Sequence, residues 1–486
     1  MITLFLATAL YVGNNACARC HTDIFKTYRD TPMARSSGIV SGGLTPGTFQ
    51  HAASGVRYRI DSSGSVQITT NRQSTEKKLG YFIGSGAAGQ SYLWSHNGFL
   101  FQAPVTWYAQ QARWDVSPGY EADRVSRWSR PIAFDCLNCH SSQVRSAAGF
   151  SNRYAEPPFA QPGVGCERCH GPGSEHVEGR GKMVNPAKLD PARRDSVCAQ
   201  CHMSGEARET RAGKRFEDYR PGALLTDYAA YFVYDGAPAL KATSYVEKLA
   251  ASRCKIASGS RLWCGTCHDP HRVPPAAERV SWYRAACLGC HQLAECKRGN
   301  DCISCHMPKG RVEGGGHGVL TDHSIPRIPS ETAAQLRDLW KLRPFSPADA
   351  GRRELGLAYA ETAARTGDTR QVQEALRLLP DAGQDAQVEL RLADLYQRTG
   401  NPQRAAVLYR SVLQKDSGSE AALVNLGNLY AAANDFDHAI LLWREAIRRE
   451  PCQPEAARNL QTAYQARKQS RELTALLTSQ AGCVIE

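Results

Sequence analysis

Residues 166–176 read CERCHGPGSEH. Cys166, Cys169 and His170 form a C-x-x-C-H unit, a Gly-Pro-Gly turn follows, and a second histidine, His176, closes the stretch. The unit recurs at Cys17-Cys20-His21, Cys136-Cys139-His140 and Cys198-Cys201-His202, and again at Cys264-Cys267-His268, Cys287-Cys290-His291 and Cys302-Cys305-His306. These are motifs one to seven in chain order, with CERCH the third. They use fourteen of the eighteen cysteines and seven of the fourteen histidines.

C-x-x-C-H is the attachment signature of c-type haem. Each thiol adds to a vinyl group, and the adjacent histidine becomes the proximal iron ligand. Zinc sites and redox disulfides also use C-x-x-C, but neither demands a histidine after every copy. Seven copies, all with the histidine, predict seven haem c groups.

The composition fits that reading. Of 486 residues, 42% are hydrophobic and 8% aromatic. A haem is itself a large apolar plate, so a haem-bearing region needs less conventional core. The formal charge of +12 suggests an acidic partner, yet a ferric haem with both propionates ionised carries about −1, so seven bring the total to roughly +5. No nucleic-acid-binding motif is present. No apolar run approaches the roughly 18 residues of a membrane helix. Residues 1–10 carry the short apolar MITLFLATAL, which reads as the remnant of a signal peptide without its basic start. That places the protein in the periplasm or outside the cell.

The chain divides into three. Residues 11–330 hold all seven motifs. Between the first two, GVRYRIDSSGSVQITTNR alternates around Ser-Ser-Gly, and SYLWSHNGFLFQAPVTWY carries an Asn97-Gly98 turn, so a small β module over about 50–110 is expected. Residues 343–482 repeat: Leu395-Tyr396 and Tyr409 recur 34 positions on as Leu429-Tyr430 and Trp443. That is the tetratricopeptide period. Such repeats stack into a curved solenoid that commonly docks a protein; the alternative is a brace for the haem region. The expected fold is mainly α: a haem-packed cytochrome domain with a β insertion, then an α-solenoid.

Seven histidines lie outside the motifs. His438 falls in a repeat helix and reads as a surface residue. His96 sits at the expected hairpin tip, where a polar residue needs no function. His176 follows His170 by six residues and His271 follows His268 by three. Such tethers extend at most about 21 and 11 Å, too short to pass round the macrocycle edge, so each is expected to reach the iron of a neighbouring haem. His317 and His323 follow the last motif and are expected to cap two earlier haems, and His51 is a weaker ligand candidate. Cys254 and Cys296 suit a disulfide in an oxidising compartment, with Cys254 as a haem ligand the alternative. Cys452 and Cys483 are expected to be unpaired or packed.

Together, YVGNNACARCHTDIFKTYRDTPMARS, SPGYEADRVSRWSRPIAFDCLNCHSS, GCERCHGPGSEHV, CGTCHDPHRVP and HGVLTDHSIPR resemble periplasmic multihaem cytochromes c with C-terminal tetratricopeptide repeats. These are similar in turn to the tetrahaem cytochromes of nitrifiers and the hydroxylamine oxidoreductase group. The resemblance implies packed haem pairs and covalent assembly outside the cytoplasm. Where the nitrifier proteins commonly place a histidine after the first motif, this chain has Met33, which the resemblance makes a ligand candidate; axial methionine raises the haem potential. Met203, Met307 and Cys254 are further candidates.

The expected function is electron relay between redox partner proteins docked on the solenoid, within an assembly or oligomer. The alternative is reduction or oxidation of a small nitrogen or sulfur compound at one open haem. No motif has lost its proximal histidine, which lowers the enzyme reading.

Overall fold

The computed structural model describes residues 10–235, 240–292, 301–312, 316–326, 339–349, 351–383 and 385–485. The β component is larger than expected. Four antiparallel strands, Gly47–Gln50, Arg57–Ile60, Ser65–Thr69 and Ser74–Lys78, form a meander. Tyr58 pairs with Ile68 and Ile60 with Val66, and all four are buried. Asp61 closes the turn by accepting from the Ser63 and Ser65 amides.

A six-stranded sheet lies beside it, built from Ser37–Ile39, Tyr81–Ile83, Gly89–His96, Phe99–Tyr108, Arg113–Val116 and Arg130–Pro131. The Asn97-Gly98 turn joins two of these strands with φ of 53° and 81°, the left-handed pair that a two-residue hairpin needs. Phe99–Tyr108 is buried on both faces, so it lacks the alternation of a half-exposed strand. With helix at 44% and strand at 19%, helix leads but the strand share is substantial, so the mainly α expectation holds only in part.

The haem motifs ride on short helices, among them Phe134–His140, Pro191–His202 and Cys302–His306. One helical turn brings the two thiols of C-x-x-C to one face. Among the described residues from Arg253 to His306 the α-helices bury nothing: Arg253–Ser258, Cys264–Cys267, Arg279–Leu288 and Cys302–His306 contain no buried residue.

Eight helices from Arg352 to Gln480 then pair antiparallel in sequence order. Trp443 fills the space above Gly427, where a Cβ would stand 2.6 Å from the indole nitrogen. The solenoid is fastened to the rest of the chain at both ends. At its start, Leu342–Pro344 adds to the sheet of Ala207–Thr210 and Ala229–Tyr234, and Leu357 and Leu379 share a core with Phe232. At its end, Val484–Ile485 pairs with Ser126–Arg127. Lys77 donates to the Gly482 carbonyl at 2.5 Å while its ammonium lies 3.4 Å over the Trp94 ring.

The same joint corrects the expectation for Cys452 and Cys483. They form a disulfide, Cα to Cα 5.3 Å, across 31 residues, and both sulfurs lie in the β-module core with Trp94 and Trp128. The fold-back after the last helix brings them together. Cys254 is an unpaired, half-buried thiol, and Cys296 lies outside the described residues. Among the described residues no helix is long and apolar enough to cross a membrane.

Candidate haem centres

Three pairs of imidazoles face each other. His21 and His176 have ring centroids 6.4 Å apart and planes 23° apart. The figures are 5.9 Å and 12° for His170 and His271, and 6.1 Å and 27° for His268 and His323. With metal–imidazole bonds of about 2.0–2.1 Å, two rings on opposite sides of one metal have centroids about 6 Å apart. Each pair joins a motif histidine to one outside the motifs. His176 therefore lies across from motif one, His271 from motif three, and His323 from motif five.

Hydrogen bonds select the tautomer. His170 Nδ1 donates to the Val184 carbonyl at 2.7 Å, His176 to Gly181 at 3.2 Å, His323 to Thr321 at 3.0 Å and His306 to Pro326 at 2.9 Å. A proton held on Nδ1 leaves the Nε2 lone pair for a metal. Burial lowers the pKa values of His140, His170, His268 and His323. It pulls His202 down to about 4, helped by the neighbouring His268, His323 and His140. These rings are neutral at pH 7, which is the ligating form.

The motifs also touch one another. Cys17 and Cys166 face each other, and the Cys166 thiol lowers that of Cys17 to about 7. Cys139 faces Cys201, and Cys198 faces Cys264; thioether formation would take all of these sulfurs out of titration. Arg168 of motif three donates to Asn138 of motif two at 3.1 Å, and Gln200 of motif four donates to Arg168 at 3.1 Å. Trp282, on the helix carrying Cys287, donates to the Cys267 carbonyl of motif five at 3.2 Å.

Other candidates are placed elsewhere. Both ring nitrogens of His51 are engaged, by Ser54 Oγ at 2.9 Å and the Glu121 carbonyl at 3.1 Å, so it keeps no lone pair for iron and the ligand expectation is corrected. His317 Nε2 sits 2.9 Å from Asp115 and 2.9 Å from Arg113, with its ring edge-on to Tyr108. It thus braces the sheet edge rather than facing a motif histidine. Met33 is half-buried in a loop that touches motif two, through Ser36 Oγ donating to the His140 carbonyl at 2.7 Å, and the approach to motif three, through Val164 N–H donating to the Met33 carbonyl. His96 packs beside Trp94. His438 bonds Asp435 at its helix start.

Several supporting residues gave little signal in the sequence. The helix Tyr245–Ala251 is a node. Tyr245 lies 5.6 Å from the His202 ring and 4.8 Å from the His323 ring. Glu247 accepts from the Ser204 amide beside motif four. Lys248 forms a buried ion pair with Asp322 at 3.2 Å, next to His323. Only Asp322, adjacent to a spare histidine, could have been flagged in advance.

The donor set fits haem. The imidazoles come in facing pairs, which suits a metal whose other four positions are filled by a macrocycle. Among the described residues no group of three or more His, Cys, Asp or Glu side chains is arranged to hold a bare ion. Around the later motifs the apolar Ile256 and Val280 stand 70% and 40% exposed, as they would beside a plate supplied by a prosthetic group.

Residues 117–171 match the family described as cytochrome c554 and c-prime, and residues 396–464 match a tetratricopeptide repeat family. The C-type polyheme cytochrome OmcB of two Geobacter sulfurreducens strains is 28% identical over 149 residues, which is 28% of this chain. That match spans only 19% of OmcB. The outer cell wall cytochrome OcwA aligns at 14% identity with a TM-score of 0.41, over 90% of this chain and 99% of its own. MamA aligns at 18% identity with a TM-score of 0.25, over 28% of this chain and 80% of its own.

Proposed function

We propose that the chain, a multihaem c-type cytochrome joined to tetratricopeptide repeats, relays electrons through seven covalently held haems outside the cytoplasm. The observation that carries this reading is the set of three facing imidazole pairs, which would hold an iron from both sides at motifs one, three and five. Haem, once bound, supplies one-electron exchange without proton transfer. The chain's own residues hold His170, His176 and His323 on Nδ1 and set the motifs edge to edge. Contacts run from motif one to three, four and five, with motif two beside three and four, so the path is continuous over that stretch.

OmcB is a polyheme cytochrome by name, and OcwA is named for the outer cell wall; a periplasmic or extracellular place for this chain agrees with both. The repeats are a protein-interaction module. Their two joints to the cytochrome region favour bracing over a free docking arm, and capture of a redox partner on the solenoid is the alternative.

Mass spectrometry of protein matured in a periplasm is expected to show seven covalent haems. Electron paramagnetic resonance of the oxidised form is expected to show low-spin iron throughout. Five haems or fewer would defeat the reading. A second reading, reduction or oxidation of a small nitrogen or sulfur compound, draws on one place. The ring beside His202 at motif four is the phenol of Tyr245 rather than a second imidazole. A high-spin iron that binds cyanide or nitrite in the wild type, and is lost with motif four, would favour that reading.

A further inference from the structure

Glu167 occupies the first variable position of the third motif, between Cys166 and Cys169. Its carboxylate is buried, 5% exposed, and accepts three backbone N–H groups. Val12 N–H donates to Oε1 at 2.9 Å, Gly13 N–H to Oε2 at 2.8 Å, and Gly173 N–H to Oε1 at 2.8 Å. Two of these donors stand immediately before the helix Asn14–Ala18, which carries Cys17 and leads to His21. The third stands three residues before His176. One side chain therefore grips the backbone on both sides of the His21–His176 pair.

We infer that Glu167 is the positioning residue that holds His176 opposite His21; the inference rests on the ligand role proposed for that pair. The surrounding bonds act in the same sense. Leu10 and Ser174 exchange two bonds, Leu10 N–H to Ser174 Oγ at 2.8 Å and Ser174 N–H to the Leu10 carbonyl at 3.1 Å. Asn14 Oδ1 accepts from the Cys166 amide at 2.9 Å, and Gln161 Oε1 accepts from the Asn14 amide at 2.9 Å. The tether itself does not determine where His176 goes. Gly171 leaves the motif with φ of 78°, and although Pro172 fixes its own φ, the two glycines around it leave the direction of the loop open. An ionised carboxylate only accepts, so it satisfies all three amides at once. A glutamine in its place would turn an NH2 toward at least one of the donating amides.

The test compares His176→Ala, Glu167→Gln and Glu167→Ala in the haem-loaded full chain. Haem count is read by mass, and low-spin iron by electron paramagnetic resonance and near-infrared absorption. His176→Ala is expected to keep every haem and convert one low-spin iron to high-spin. Glu167→Ala is expected to convert the same iron, and Glu167→Gln to convert it in part. Added imidazole should restore the low-spin signal in all three, and joining His176→Ala to Glu167→Gln should convert no second iron. A Glu167→Gln protein with full haem and an unchanged low-spin count, beside a His176→Ala protein that has lost one, overturns the positioning role and leaves the ligand reading standing. An unchanged count in His176→Ala overturns both. If Glu167→Ala does not take up haem, Glu167→Gln decides.

Discussion

The stretch from Arg253 to His306 and the solenoid from Arg352 to Gln480 are both helical, yet they cohere by different means. Among the described residues of the first, four α-helices bury no residue at all. In the second, every helix buries residues of its own, from eight in Arg352–Thr366 to one in Ser470–Gln480. Short helices are marginal in water and need a packed face. The repeats supply that face to one another. On the function proposed above, the motif helices take that face from haem, and the first region would then depend on its cofactor as a zinc finger depends on its metal.

The largest expected effect separates the two regions outright. Chain produced where haem is not attached should lose residues 253–306 to limited proteolysis, while a fragment covering the repeats survives and stays helical by circular dichroism. Equal protection of both regions would erase the distinction. Next, Trp443→Ala removes a buried indole and should destabilise the solenoid by about 3–5 kcal/mol. The haem absorption should not move, because no motif lies in the repeats.

The joints sharpen the comparison. Replacing Cys452 and Cys483 by serine opens a link across 31 residues and should cost about 2–4 kcal/mol. Fluorescence from Trp94 and Trp128 should report the loosening. The most gradual effect is a pH slope at the same end of the solenoid. Glu450 is pushed up to about 8 by burial and by the nearby Glu420; Asn152 bonds Glu450, and Ser151 bonds Glu420, which also faces Arg449 and Asp416. An acid bound more tightly to its proton in the folded state stabilises fully below its unfolded pKa, and that contribution is lost as pH rises through the folded value. Melting should therefore weaken from about pH 5 to 8, by at most about 1.4 kcal/mol per unit, and Glu450→Gln should flatten the slope.

What the sequence made legible follows the same division. The cysteine and histidine spacing is local chemistry, and the 34-residue period and the Asn97-Gly98 turn are local geometry, so all could be read directly. Which spare histidine faces which motif is a tertiary matter. His176 and His271 are limited by short tethers, whereas His51 and His317 have long ones, and the folded chain gives their rings to Ser54, Glu121 and Asp115. The β module was under-read because strands such as Ser37–Ile39 and Arg130–Pro131 are too short to show a period, and Phe99–Tyr108 is covered on both faces. The Cys452–Cys483 bond could not be inferred, since nothing local signals that residues 483–485 return to Ser126–Arg127.

That return has a consequence for how the protein is made. The β module lies in the first third of the chain, but its core includes Cys483, beside which Val484–Ile485 pairs with Ser126–Arg127. Synthesis runs from the N-terminus, so Trp94 and Trp128 are made long before Cys483, which shares their core. A product that stops short carries an uncovered aromatic patch in a region otherwise fully translated.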